Sequence, residues 1–186
     1  ILFVATKKQA KDILVKHIKP IQMPYITERW PGGMLTNFVT IRKAVKKMTS
    51  IDKMKEDGTI STLSKKERLQ LDRKRDKLEK DLGSISEMNR LPGAIFIVDI
   101  VKEKIALLEA RKLGIPTFAM VDTNSDPNLV DFPIPSNDDA SKSIDIILSS
   151  VAESIKKALQ EREVEKKSKN NVDSKNKKSA SNDKSK

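Results

Sequence analysis

The chain is 186 residues long, carries a formal net charge of +11, and contains no cysteine and only 4% aromatic residues. Without cysteine it can form neither disulfides nor thiolate metal centres, and no run of eighteen apolar residues offers a membrane-spanning helix. The length suits one α/β domain with added elements, and the cationic excess points to polyanionic partners, nucleic acid before an acidic membrane surface.

The first residues, Ile1 to Thr6, read as a buried strand. No initiator methionine precedes them, so we expect an N-terminal portion ahead of this sequence; nothing resembles a signal peptide, and export by that route is not expected. Thr6-Lys7-Lys8-Gln9 has the form of a capping box opening a helix to about Lys19, with Ala10, Ile13, Leu14 and Ile18 on its apolar face. His17 is the only histidine, with no second ligand type nearby, and is read as an ordinary helix residue.

A strand over Pro24 to Glu28 leads into Arg29-Trp30-Pro31-Gly32-Gly33-Met34-Leu35-Thr36-Asn37-Phe38. Pro31 holds Trp30 out of the helical region, and the glycine pair permits positive φ or close backbone approach. Thr36 or Asn37 can cap the helix that follows, which groups Arg29, Trp30 and free backbone amides on one surface suited to a phosphate beside a base or sugar. The plainer alternative packs Trp30 on the sheet edge and pairs Arg29 with an acid.

Phe38, Ile41, Val45 and Met48 recur at helical spacing, with Arg42, Lys43, Lys46 and Lys47 between them. Asp57-Gly58 breaks that helix, and Ser64-Lys65-Lys66-Glu67 is a second capping box. Leu71, Leu78 and Ile85, joined by Leu82, then repeat among charged neighbours. Two such helices predict a projecting antiparallel coiled-coil hairpin over 38–90. Between Arg42 and Arg90, fifteen Lys and Arg stand against nine Asp and Glu, a balance of +6 that favours an RNA or protein contact.

Leu91-Pro92-Gly93 is a turn, and Ala94 to Val98 is continuously apolar, as a parallel strand buried on both faces should be. Asp99 ends it. A helix from about Lys102 to Leu113 is closed by Gly114, and Ile115 to Val121 is the next strand, ending at Asp122. Strand, helix and strand with short joints specify a doubly wound parallel sheet. Ile134 lies in an edge segment between two prolines, and Asn137-Asp138-Asp139 caps a last helix bearing Ile144, Ile147, Leu148, Val151 and Ile155. From 161 to 186 almost nothing is apolar, and a disordered basic tail is expected.

Phe3 to Gln9, the Arg-Trp-x-Gly-Gly-x-Leu-Thr-Asn of Arg29 to Asn37, Leu91 to Asp99, and Lys112 to Asp139 together resemble the bacterial small-subunit ribosomal protein number two, universal uS-two family. The resemblance covers all but the tail. It implies a flavodoxin-like α/β/α domain over 1–37 and 91–160, with the helical hairpin inserted at 38–90. It further implies a non-enzymatic structural role between head and body of the small subunit, contacting ribosomal RNA and docking the mRNA-binding ribosomal protein one in the cytoplasm, without cofactor. Family members begin earlier, with a basic and aromatic segment. Pro31, Gly93, Ser125 and Ser136 depart from the residues common in the family and alter turn detail only.

The residues expected to meet RNA are Lys7, Lys8, Arg29, Trp30, Asn37, Arg42, Lys46 and Lys47, acting by phosphate neutralisation and orientation. A rival reading places Mg²⁺ on Asp99 and Asp122, at the ends of neighbouring strands, for phosphoryl transfer. Capping is the simpler role for both, since no nucleophile, catalytic lysine or phosphate loop accompanies them, and Gly32-Gly33 matches no nucleotide fingerprint.

Overall fold

A computed structural model describes the backbone of residues 1–182 and the side chains of residues 1–162. Two compact units divide it, Ile1–Leu148 and Ser149–Lys186.

The first unit is built on five parallel strands: β1 (Leu2–Val4), β2 (Tyr25–Ile26), β3 (Ile95–Ile97), β4 (Thr117–Val121) and β5 (Phe132–Pro135). Their order is β2-β1-β3-β4-β5, that of a flavodoxin-type doubly wound sheet. Leu2 faces Ile95, which in turn faces Thr117, so every neighbour is parallel and in register. Because the order reverses at β1, right-handed crossovers send α1 (Lys8–Ile18) and α4 (Lys104–Lys112) to opposite faces.

Side-chain alternation then divides the core. Leu2, Val4, Ile95, Ile97, Ala119 and Val121 join one cluster with Trp30, Met34, Leu35 and the α4 residues Ala106, Leu107 and Ala110. Phe3 and Phe96, whose rings lie 5.4 Å apart, point the other way, toward the face of α1 and the start of α5 (Ser141–Asn182). Ala10, Leu14, Ile18, Ile144 and Leu148 are buried there. Asn137 Oδ1 accepts from the amides of Asp139 and Ala140, the cap expected before α5. Gly114 has φ +63° just beyond α4, as a left-handed cap requires. The prolines of β5 sit on the sheet edge, where a missing donor does least harm.

Between β2 and β3 lie α2 (Phe38–Glu56) and α3 (Lys65–Leu82), tied to each other by Arg75–Asp52 at 2.8 Å and Lys55–Asp72 at 2.7 Å. The Ser64–Glu67 capping box forms. The apolar seam expected to serve the two helices alone continues into the sheet's core. Ile41 and Val45 of α2, Leu82, and Ile85 just beyond it are buried in the same cluster as β1 and β3, and Leu78 packs against it.

The second unit continues α5, with Lys157 and Glu153 paired at 2.9 Å across one turn. Of the tail expected to be disordered over 161–186, the side chains of 163–186 and the backbone of 183–186 lie outside the described residues, and the backbone up to Asn182 belongs to α5.

Candidate nucleic-acid interface

The Arg29–Phe38 turn is organised by one buried acid. Glu109, on the inward side of α4, is 8% exposed and lies within hydrogen-bond distance of five donors. Its Oε1 accepts from Trp30 Nε1 at 3.1 Å and the Gly33 amide at 2.7 Å. Its Oε2 accepts from the Leu35 amide at 2.9 Å, the Thr36 amide at 3.0 Å and the Thr36 hydroxyl at 3.1 Å. Burial alone would raise the Glu109 pKa, but donation from Thr36, Leu35, Trp30 and Gly33 outweighs it and holds the carboxyl below its ordinary range.

This corrects the expected phosphate surface. The amides thought free for an anion are spent on Glu109, and Trp30 is 6% exposed inside the core, as in the plainer sequence reading. Asn37 does not cap the α2 backbone; its Oδ1 accepts from the Thr40 hydroxyl at 2.9 Å. Gly33 has φ +83°, so the glycine pair does supply the left-handed turn. The inward side of α4 explains a second miss. Its cap residue Glu103 accepts from the Thr6 amide and hydroxyl, so the Thr6–Gln9 capping box does not form.

Lys7 also sits among protein partners. Its ammonium lies 3.0 Å from Asp99 Oδ2, 2.8 Å from Asp138 Oδ1 and 2.6 Å from Asp139 Oδ1. Burial opposes the charge, yet hydrogen bonds to Asp138, Asp139 and Asp99 raise the Lys7 pKa above that of an ordinary lysine. Asp138 is fully buried, and desolvation raises its pKa despite Lys7.

These residues lie at the carboxyl ends of β1, β3, β4 and β5, where doubly wound sheets receive anionic ligands. Here four aspartates with Asp122 outnumber one lysine, and such a rim repels phosphate. Asp99 Oδ1 caps the Val101 and Lys102 amides, and Asp122 Oδ1 accepts from the Thr123 amide. The Asp99–Asp122 pair of the rival reading is thus engaged in turn-making. Among the described residues, one group of three carboxylates lies within 4.8 Å of one another, that of Asp122, Asp138 and Asp139, a donor set that a divalent cation could use.

The remaining candidates differ. Arg42 donates to the Met88 carbonyl at 3.0 Å and is half-buried. Lys8, Arg29, Lys46 and Lys47 are exposed, and none has a carboxylate within ion-pair distance among the described residues. On α2, Lys46 and Lys47 lie opposite the buried Val45 and Met48. Lys47 lies near enough to Lys74 of α3 to lower the Lys74 pKa, first through a side-chain contact and then through like charge. His17 pairs with Asp145 at 2.8 Å, an α1–α5 contact consistent with an ordinary helix residue.

The comparisons extend these observations. The chain matches the family model described as ribosomal protein S2 over residues 1–158. It is 71% identical over 166 residues to the small ribosomal subunit protein uS2 of Flavobacterium johnsoniae, an alignment covering 89% of this chain and 65% of that protein. With the same protein of Christiangramia forsetii the identity is 70% over 165 residues, covering 89% and 55% respectively. With that of Flavobacterium psychrophilum it is 73% over 155 residues, covering 83% and 58%. The chain therefore spans between 55% and 65% of the length of these curated relatives. A match of this extent, on a five-stranded parallel sheet whose second connection carries α2 and α3, is decisive: the chain belongs to the ribosomal protein S2 family.

Proposed function

We propose that this chain is the α/β body of a structural, non-enzymatic protein of the small ribosomal subunit, located on the ribosome. It holds ribosomal RNA by neutralising phosphates and fitting their path. The observation that carries this reading is the contrast between one lysine surrounded by aspartates and a set of exposed cations without acidic partners. Lys7 is engaged within the fold, whereas Lys8, Arg29, Lys46 and Lys47 are unpaired among the described residues. A phosphate placed between Lys47 and Lys74 would relieve their mutual repulsion, which is an electrostatic reason for an anion to bind there.

In this reading Asn37 and Arg42 border the contact, while Trp30 and Lys7 shape the surface from behind. The pair α2–α3 is a coiled-coil hairpin, spanning 38–90 and projecting from the domain formed by 1–37 and 91–160. The whole protein bridges head and body and helps dock the mRNA-binding ribosomal protein one, neighbouring subunit proteins completing the contacts. No helix among the described residues is long and apolar enough to cross a membrane.

Binding to small-subunit ribosomal RNA, measured against salt, tests the reading. The logarithm of affinity should fall linearly with the logarithm of salt, by roughly 0.7 to 0.9 per phosphate contacted. The tagged full-length protein should sediment with small subunits at moderate salt. Salt-independent association, or absence from the particle, would remove the proposal.

A further inference from the structure

The sheet-facing side of α4 is apolar, yet its outer side is not the polar surface expected of an amphipathic helix at a domain boundary. Val101, in the turn before it, is 55% exposed, Ile105 56% and Leu108 53%. On α4 a spacing of three residues sets Ile105 and Leu108 side by side, and Val101 stands in the turn that leads into the helix. The other exposed positions of α4 are Lys104, Arg111 and Lys112. At 100° per residue, Lys104 and Arg111 run along one flank of this apolar pair, and Lys112 closes its end. The two acids, Glu103 and Glu109, are both turned inward, so no carboxylate lies on the outer side.

We propose that this outer face of α4 is a protein-docking surface for an acidic amphipathic helix of a neighbouring protein. Leucine or isoleucine of the partner covers Val101, Ile105 and Leu108, and its aspartates or glutamates meet the cations on the flank. Single exposed apolar residues need no partner, but neighbouring ones on a helix that is apolar on both sides do. Charge decides which partner. A second copy of the same face would set cations against cations, and RNA would leave the three aliphatic side chains unmatched, since RNA is gripped through phosphates, hydroxyls and aromatic stacking. The surface differs in kind from the outer side of α2, where Lys43, Lys46 and Lys47 are exposed.

This inference rests on the reading of the chain as a subunit protein, and one experiment separates the two. The full-length protein carries the photoreactive p-benzoylphenylalanine at Ile105 and is assembled into small subunits in cells. The purified particles are irradiated and the adducts identified by mass spectrometry. The expected adduct joins position 105 to a segment of another protein that has apolar residues at helical spacing with acids beside them. Its yield should fall at least about tenfold in Leu108→Glu, which an exposed position tolerates without loss of thermal stability, and should survive in Leu108→Met. Adducts with RNA, adducts within the chain itself, or particles that contain the protein but give no adduct would overturn the docking surface and leave the ribosomal reading standing. Absence of the labelled protein from the particles, with the unlabelled protein present, would show that the face is needed for assembly and again give no partner helix, overturning the proposal. Absence of both would remove the ribosomal reading and this inference with it.

Discussion

Glu109 and Trp30, 79 residues apart in sequence, meet through an indole N–H···carboxylate hydrogen bond of 3.1 Å inside the core. The same carboxylate takes the amides of Gly33, Leu35 and Thr36, so the acid of α4 does for this turn what an anion would do at a helix start. Glu109→Gln keeps the shape but puts an NH₂ against backbone donors. We expect a loss of roughly 2–4 kcal/mol at pH 7, read from urea unfolding. The pH dependence has a definite sign. A carboxyl with a depressed folded pKa stabilises above its unfolded value of about 4.3 and ceases to do so as pH falls through the folded pKa. The gap between wild type and variant should therefore shrink in acid; a gap constant from pH 7 to pH 3 would show that the charge is not what matters.

The two glycines of the turn should separate cleanly. Gly33 has φ +83°, and a Cβ added there would stand 3.2 Å from the Asn37 Cβ. At Gly32 a Cβ meets nothing within 4 Å and φ is not in the left-handed region. Gly33→Ala is expected to cost ~1–2 kcal/mol and Gly32→Ala to stay within about 0.5 kcal/mol, by thermal or urea melts. Equal effects would mean that the conformation of the turn is not set by Gly33.

The sheet, its parallel sense and the helices that cover it were legible in the sequence because each rests on local signals: the apolar run at Ala94–Val98, the Gly114 cap, the proline-bounded edge at Ile134. What the turn binds was not legible. Its partner is a glutamate 73–79 residues away, and a glutamate in an amphipathic helix ordinarily faces water. One signal was available: Glu109 lies three residues after Ala106 and immediately before Ala110, hence on the inward stripe. Asp138 offered no comparable mark, because only the fold brings the ends of β1, β3, β4 and β5 around Lys7. The Thr6 box failed for the same reason, as a distant carboxylate outcompeted the local cap.

Lys7→Met should expose the cost of that arrangement. Asp138, fully buried, would lose its one cationic partner while Asp99 and Asp139 remain close. Removing one member of a buried pair costs ~3 kcal/mol or more. Asp138 already titrates above its ordinary value, and an acid with a raised folded pKa weakens the fold above its unfolded pKa of about 3.9 and ceases to do so once protonated. The deficit should be largest at neutral pH and recede toward pH 4. Lys7→Met together with Asp138→Asn should recover much of the loss at pH 7, and failure to recover would show that Lys7 answers to something other than Asp138.

The different settings of the lysines also divide their effects on RNA binding. Lys46 and Lys47 stand on the solvent side of α2 without acidic partners among the described residues, so truncating either leaves the core seam of Ile41, Val45 and Met48 intact. Lys46→Ala and Lys47→Ala are each expected to keep the melting temperature within a few degrees and to flatten the salt dependence of RNA affinity by roughly one phosphate contact. Because Lys47 crowds Lys74, its loss should also let the Lys74 ammonium titrate nearer its usual value, visible by NMR of the side chain. Lys7→Met should do the reverse: with its charge already matched by aspartates, it should lower stability while leaving the salt slope of the folded protein unchanged. A slope altered by Lys7→Met and indifferent to Lys46→Ala and Lys47→Ala would move the RNA contact from the outer side of α2 to the carboxyl ends of the strands, and the assignment of exposed cations would have to be abandoned.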